Sequence, residues 1–241
     1  MDIKKSNLSV IALTAFIFFL PFGAVAENAK KASDTADNEY SPVIGLEIFR
    51  ICARCHTSEG WGSKDGIHPQ IAGQHKEVLI KQIIDIREGQ RENPSMFPFS
   101  LHESIGGEQE LNDVANYVSM LPMTPDNGQG PWAEGTPEYE EGEKLYKDNC
   151  VKCHGETGEG NVALLSPRIQ GQHYQYMARQ FDWIRDGKRT NANHEMMGQV
   201  KSFSDDDMQK VINYVSRLPV PGNLLAPSAD WENPDFKIKN N

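Results

Sequence analysis

The chain has 241 residues, 38% hydrophobic and 24% charged, with a formal net charge of −10. That apolar share is enough to bury the cores of one or two domains. The acidic balance excludes nucleic acid and anionic lipid as partners, because both would repel it, and makes a basic face on another protein the natural complement.

The first residues read as an export signal. "MDIKK" is a basic start, "LSVIALTAFIFFLPFG" an apolar run, and "AVA" ahead of Glu27 a small-x-small cleavage site, so residues 1–26 are a signal peptide. The apolar run is short for a membrane span and is broken by Pro21, so the expectation is a periplasmic protein with no transmembrane anchor after cleavage. Residues 27–41, polar and without apolar periodicity, are expected to form a flexible leader.

From residue 42 the chain is a repeat. Cys52 recurs as Cys150, Pro69 as Pro167, "GQH" at 73–75 as "GQH" at 171–173, Gln82 as Gln180 and Arg91 as Arg189, all at an offset of 98. "NYVS" at 116–119 returns at 213–216. So long a period means tandem domains, since solenoid repeats run about 20–50 residues. The first module spans 42–122. Residues 123–138, "MTPDNGQGPWAEGTPE", are rich in Gly and Pro and form the linker. The second module spans 139–220, and a tail follows over 221–241, whose Pro- and Asn-rich sequence does not say whether it wraps or dangles.

The predicted class is all-α. "SPVIGLEIFRICARCH" and "EYEEGEKLYKDNCVKCH" each lead a helix into a cysteine pair. The closing helices place Val114, Tyr117, Val118 and Leu121 at i, i+3, i+4, i+7, and Val211, Tyr214, Val215 and Leu218 likewise. "SDDD" at 204–207 supplies a serine cap and a first turn of acids.

All four cysteines fall in two Cys-x-x-Cys-His runs, Cys52–His56 and Cys150–His154. Zinc would need no histidine after each pair, and a redox dithiol belongs beside a βαβ unit, for which there is no pattern here. Haem attachment uses every residue: two thiols on one helical turn match two vinyl groups, and the adjacent His lies under the iron. Two covalently bound haem c groups are therefore expected. They also supply apolar centres that modules of about 80 residues would otherwise lack.

For the sixth ligand, Met96 and Met196 lie 40 and 42 residues beyond their histidines, in what reads as a loop before the closing helix. Met197 and His194 are weaker alternatives to Met196, and His102 follows Met96 by six residues. A methionine there suits electron transfer, whereas an open position suits catalysis.

The order C-x-x-C-H, Pro, "GQH", "REGQR" or "RDGKR", Met and "NYVS-x-LP", occurring twice, resembles the two-domain di-haem cytochromes of the cytochrome c4 family. The resemblance implies two tandem cytochrome c-like helical domains, each around a haem. It implies that the carbonyls of Pro69 and Pro167 orient His56 and His154, and that Arg91 and Arg189 lie near haem propionates. Gly45 with Tyr117, and Gly142 with Tyr214, would mark where first and last helices cross. Thr57 departs from the pattern, where the second module has Gly155. The expected function is a periplasmic electron carrier shuttling single electrons between redox proteins, such as a terminal oxidase, a periplasmic reductase or a dehydrogenase. Two rival readings are a di-haem peroxidase-like enzyme and the electron-accepting cytochrome subunit of a larger dehydrogenase.

Overall fold

A computed structural model describes residues 40–237. The expected signal peptide, and the leader up to residue 39, lie outside the described residues.

Among the described residues ten α-helices follow in order: α1 (Pro42–His56), α2 (Lys76–Arg87), α3 (Phe97–Ser100), α4 (His102–Ile105), α5 (Glu108–Met120), α6 (Pro137–Asn149), α7 (Val151–His154), α8 (Tyr174–Arg185), α9 (His194–Ser202) and α10 (Asp205–Val215). Among the described residues the extended backbone amounts to isolated bridges only, as the all-α reading requires. None of the described helices is long and apolar enough to cross a membrane.

The helix starts follow local chemistry. Pro42 and Pro137 occupy first-turn positions, behind Ser41 and Thr136, whose hydroxyls accept from Ile44 N and Tyr139 N. That satisfies donors the helix cannot pair internally. At α10, Ser204 Oγ accepts from Asp207 N at 3.1 Å, and Asp207 Oδ2 accepts from Ser204 N at 3.0 Å, a closed capping box.

Each module is built on a crossing of its first and last long helices. α1 packs on α5, and α6 on α10. A Cβ added at Gly45 would lie 2.6 Å from Asp113 O and 2.9 Å from Tyr117 Cβ; one added at Gly142 would run into Lys210 O. Only glycine allows the backbones so close. Rings close each crossing, Phe49 on Tyr117 at 5.3 Å and Tyr146 on Tyr214 at 5.5 Å between centroids. The eight apolar residues predicted for the two closing-helix stripes are all buried, each contributing about 1.5–3 kcal/mol.

The modules differ where the cysteines sit. α1 runs unbroken to His56, but the second module breaks at Cys150 (φ −116°, ψ −31°) into α6 and α7. Asp148 and Asn149 precede that break, and both types favour helix ends over interiors; Asn149 Nδ2 donates to Leu145 O at 2.8 Å. After the histidine both modules turn through positive φ, 82° at Gly155 and 66° at Thr57. With ψ 164°, Thr57 holds a conformation that glycine normally occupies, at a cost of order 1–3 kcal/mol.

Linker and tail are both engaged. Trp132 N donates to Asn213 Oδ1, and Gly130 N to Ser216 Oγ, tying the linker to the second module. The tail wraps: Ala226 N donates to Met123 O at 2.9 Å. Beyond it, Asn233 Nδ2 donates to Ser58 O and to the Tyr117 hydroxyl, and Phe236 meets the ring of Phe49 at 5.9 Å. Each "GQH" run contacts the other module across the boundary. His75 Nε2 donates to Glu159 O, and His173 Nε2 to Trp61 O, each at 2.7 Å, contacts related by the sequence offset of 98.

Candidate functional site

The two Cys-x-x-Cys-His runs form one local geometry twice. His56 is 4% exposed and its Nδ1 lies 2.9 Å from Pro69 O; His154 is 9% exposed and its Nδ1 lies 3.0 Å from Pro167 O. A carbonyl only accepts, so each Nδ1 carries the proton and each Nε2 keeps its lone pair. Burial pushes His56 down to about 4 and lowers His154 as well, so both rings stay neutral. A neutral imidazole oriented through Nδ1–H is the form that ligates a metal. None of the four cysteines is paired in a disulfide. Burial pushes Cys52 up to about 11 and Cys150 to about 12, which favours the neutral thiol over the thiolate.

A cavity of about 830 Å³ opens beside the second run. Its lining joins Cys150, Cys153, His154, Pro167, Arg189 and Met196, with Phe181, Ile184 and Val200 among the apolar walls. Pro69, Ile71, Val78 and Gln82 of the first module complete the wall across the boundary. Its size and largely apolar lining, with a few converging polar groups, fit a large planar cofactor.

Met196 reaches this cavity from inside α9 rather than from the expected loop, because Asn193 caps a helix there, its Oδ1 accepting from Glu195 N at 2.7 Å. Met197 packs with Ile184, Val200 and Met208, and His194 is exposed. In the first module Cys52 is half-buried against the core, Cys55 is exposed, and Met96 stands half-buried at the start of α3. His102 is occupied elsewhere, within 3.1 Å of Arg87 Nη1 and 2.8 Å of Gly106 O. Arg91 is buried rather than solvated, and the Arg91 and Arg189 backbones pair as an antiparallel bridge. The glutamines around them, Gln82 and Gln180, went unassigned in the sequence although their recurrence at one offset was the available signal.

A di-haem c-type cytochrome is the class that this fold and these paired sites define. The cytochrome c family model matches residues 139–219. The chain is 30% identical over 184 residues to cytochrome c4 of Azotobacter vinelandii, spanning 70% of this chain and 84% of that one. It is 32% identical over 174 residues to a thiosulfate dehydrogenase electron acceptor of Stutzerimonas stutzeri (69% and 78%). The crystal structure of reduced cytochrome c4 from Pseudomonas stutzeri superposes with a TM-score of 0.64 at 26% identity, over 75% of this chain and all of that one. The chain belongs to the cytochrome c4 family. It carries covalently bound haem c and is an electron-transfer protein rather than an enzyme; the peroxidase alternative is not favoured.

Proposed function

We propose that the protein is a periplasmic carrier of single electrons whose two haems are held by modules 42–122 and 139–220. Cys52 and Cys55, and Cys150 and Cys153, would form the thioether links, and His56 with Met96, and His154 with Met196, would hold the two irons. When bound, each haem iron supplies the one-electron chemistry. The residues do the rest. The Pro69 and Pro167 carbonyls fix the imidazoles and raise their basicity. Methionine sulfur favours the reduced iron and closes it to outside ligands. Arg91 and Arg189 neutralise the cofactor carboxylates. No group here has to move a proton.

The observation that carries this reading is the single cavity uniting Cys150, Cys153 and His154 with Met196. The acidic chain suits a basic docking face on a terminal oxidase, reductase or dehydrogenase. Likeness to a protein named a thiosulfate dehydrogenase electron acceptor favours a second form of the same reading, in which a dehydrogenase is the donor and holds the cytochrome as a subunit. Co-purification and gel filtration separate a stable complex from a free shuttle. The ligand assignment is tested by near-infrared absorption of the oxidised protein. A methionine-to-iron charge-transfer band worth two haems, halved in Met196→Ala and inert to cyanide in the parent, is the expected result. A full band in Met196→Ala would remove Met196 from the iron.

A further inference from the structure

The boundary between the modules buries two guanidinium groups side by side. Arg91 is 4% exposed. Its Nη1 donates to Gln82 Oε1 at 2.6 Å, and its Nη2 to the Tyr176 hydroxyl at 2.6 Å and to Gln180 Oε1 at 3.1 Å. Arg189 Nη1 donates to that same Gln180 oxygen at 3.0 Å, so one amide oxygen serves two cations. Burial, and then the charge of Arg91, pull the Arg189 guanidinium down to about 10.

Two buried like charges are unfavourable unless an anion offsets them; Asp85 acts on Arg189 through space, but its carboxylate is bound by Lys81. Among the described residues neither arginine forms an ion pair with a carboxylate. Arg91 Nε and Gln180 Nε2 are buried without a hydrogen-bond partner. Arg189, Gln82, Tyr176 and Gln180 all line the large cavity, so the missing negative charge enters from there.

The pair is not symmetric. At the offset of 98, Gln82 corresponds to Gln180 and Arg91 to Arg189, but Tyr176 corresponds to Val78, which has no hydroxyl. Arg91 therefore makes two of its three side-chain hydrogen bonds with the second module, while among the described residues the Arg189 side chain donates within its own.

We propose that Arg91 is a positioning residue shared by both redox centres: held across the boundary by Tyr176 and Gln180, its charge raises the reduction potential of the second haem together with that of its own, whereas Arg189 acts chiefly on the second. This rests on the di-haem reading above. A fixed cation favours the reduced state, because reduction removes one positive charge from the iron centre.

The test is a spectroelectrochemical titration of the holoprotein and its Arg91→Gln, Arg91→Lys, Arg189→Gln and Tyr176→Phe variants. The waves are assigned with Met196→His, whose changed ligand displaces the second-module wave. In Arg91→Gln both reduction equilibrium constants should fall at least about threefold, roughly half of the ~59 mV that tenfold means for one electron. Arg91→Lys should keep both waves near their original places, and Arg189→Gln should lower the second more than the first. Tyr176→Phe keeps the charge and frees its anchor, so the second wave falls and the first stays; it also serves if Arg91→Gln does not fold. An Arg91→Gln protein with two haems and only one wave moved, or none, overturns the proposal, as does an unmoved second wave in Tyr176→Phe. A parent protein with fewer than two covalent haems by pyridine haemochrome overturns the di-haem reading instead.

Discussion

Gln172 holds Gln70 by both ends of one amide: its Oε1 accepts from Gln70 N at 3.0 Å and its Nε2 donates to Gln70 O at 2.9 Å. The sequence repeat supplies the reciprocal clasp. Gln74 Nε2 donates to Arg168 O, and its Oε1 accepts from Arg168 N, both at 2.9 Å. Gln74 corresponds to Gln172 and Arg168 to Gln70, so the two modules embrace through one motif used twice. Gln172→Ala leaves a backbone donor and acceptor unpaired, at about 1–3 kcal/mol. Thermal unfolding should show a fall of several degrees, near that of Gln74→Ala; an unchanged midpoint in both would deny the clasp any energetic role.

His173 gives this boundary a pH dependence. Its Nε2–H donates to Trp61 O at 2.7 Å and its Nδ1 accepts from Gly128 N at 3.0 Å, so the folded ring is neutral with one tautomer. Burial lowers its pKa below the ordinary imidazole value. The unfolded chain therefore binds this proton first, and stability rises with pH across the interval. The stabilisation is fully present above the unfolded pKa of about 6.5 and is lost as pH falls from there through the lower folded value. Unfolding midpoints measured from pH 8 to pH 5 should fall less steeply in His173→Gln than in the parent; parallel slopes would contradict this.

The helix crossings allow a sharper test. Gly142→Ala sets a methyl against the Lys210 carbonyl, which belongs to α10 and cannot give as a side-chain end would. Denaturant unfolding should show a loss of about 1–3 kcal/mol, with a similar loss for Gly45→Ala. Gly89→Ala is a contrast: a Cβ there meets nothing within 4 Å, and only the positive φ of 75° opposes it.

The parts written in local chemistry were legible in the sequence. Serine and proline at helix starts, apolar residues at i, i+3, i+4, i+7, and cysteines spaced for two vinyl groups each specify their own geometry. What escaped was set by partners distant in sequence. Nothing near Gln74 or Gln172 announces that an amide will close on backbone 94 or 102 residues away. Met196 read as part of a loop before the closing helix, yet the Asn193 cap and the burial of Val200 keep α9 helical. The tail offered only polarity and proline, so its docking on the first module could not be foreseen from composition.

That docking sets an order of events in biogenesis. Asn233 reaches back 175 residues to Ser58, and Arg50 reaches forward 185 residues to Asp235. The first module to emerge is thus the last to close, since its Phe49 ring, packed on Tyr117, gains its second aromatic neighbour only when Phe236 arrives. The second module draws its own closing contacts from the linker made just before it. A nascent chain halted short of residue 233 would present a finished second half joined to a first half still open.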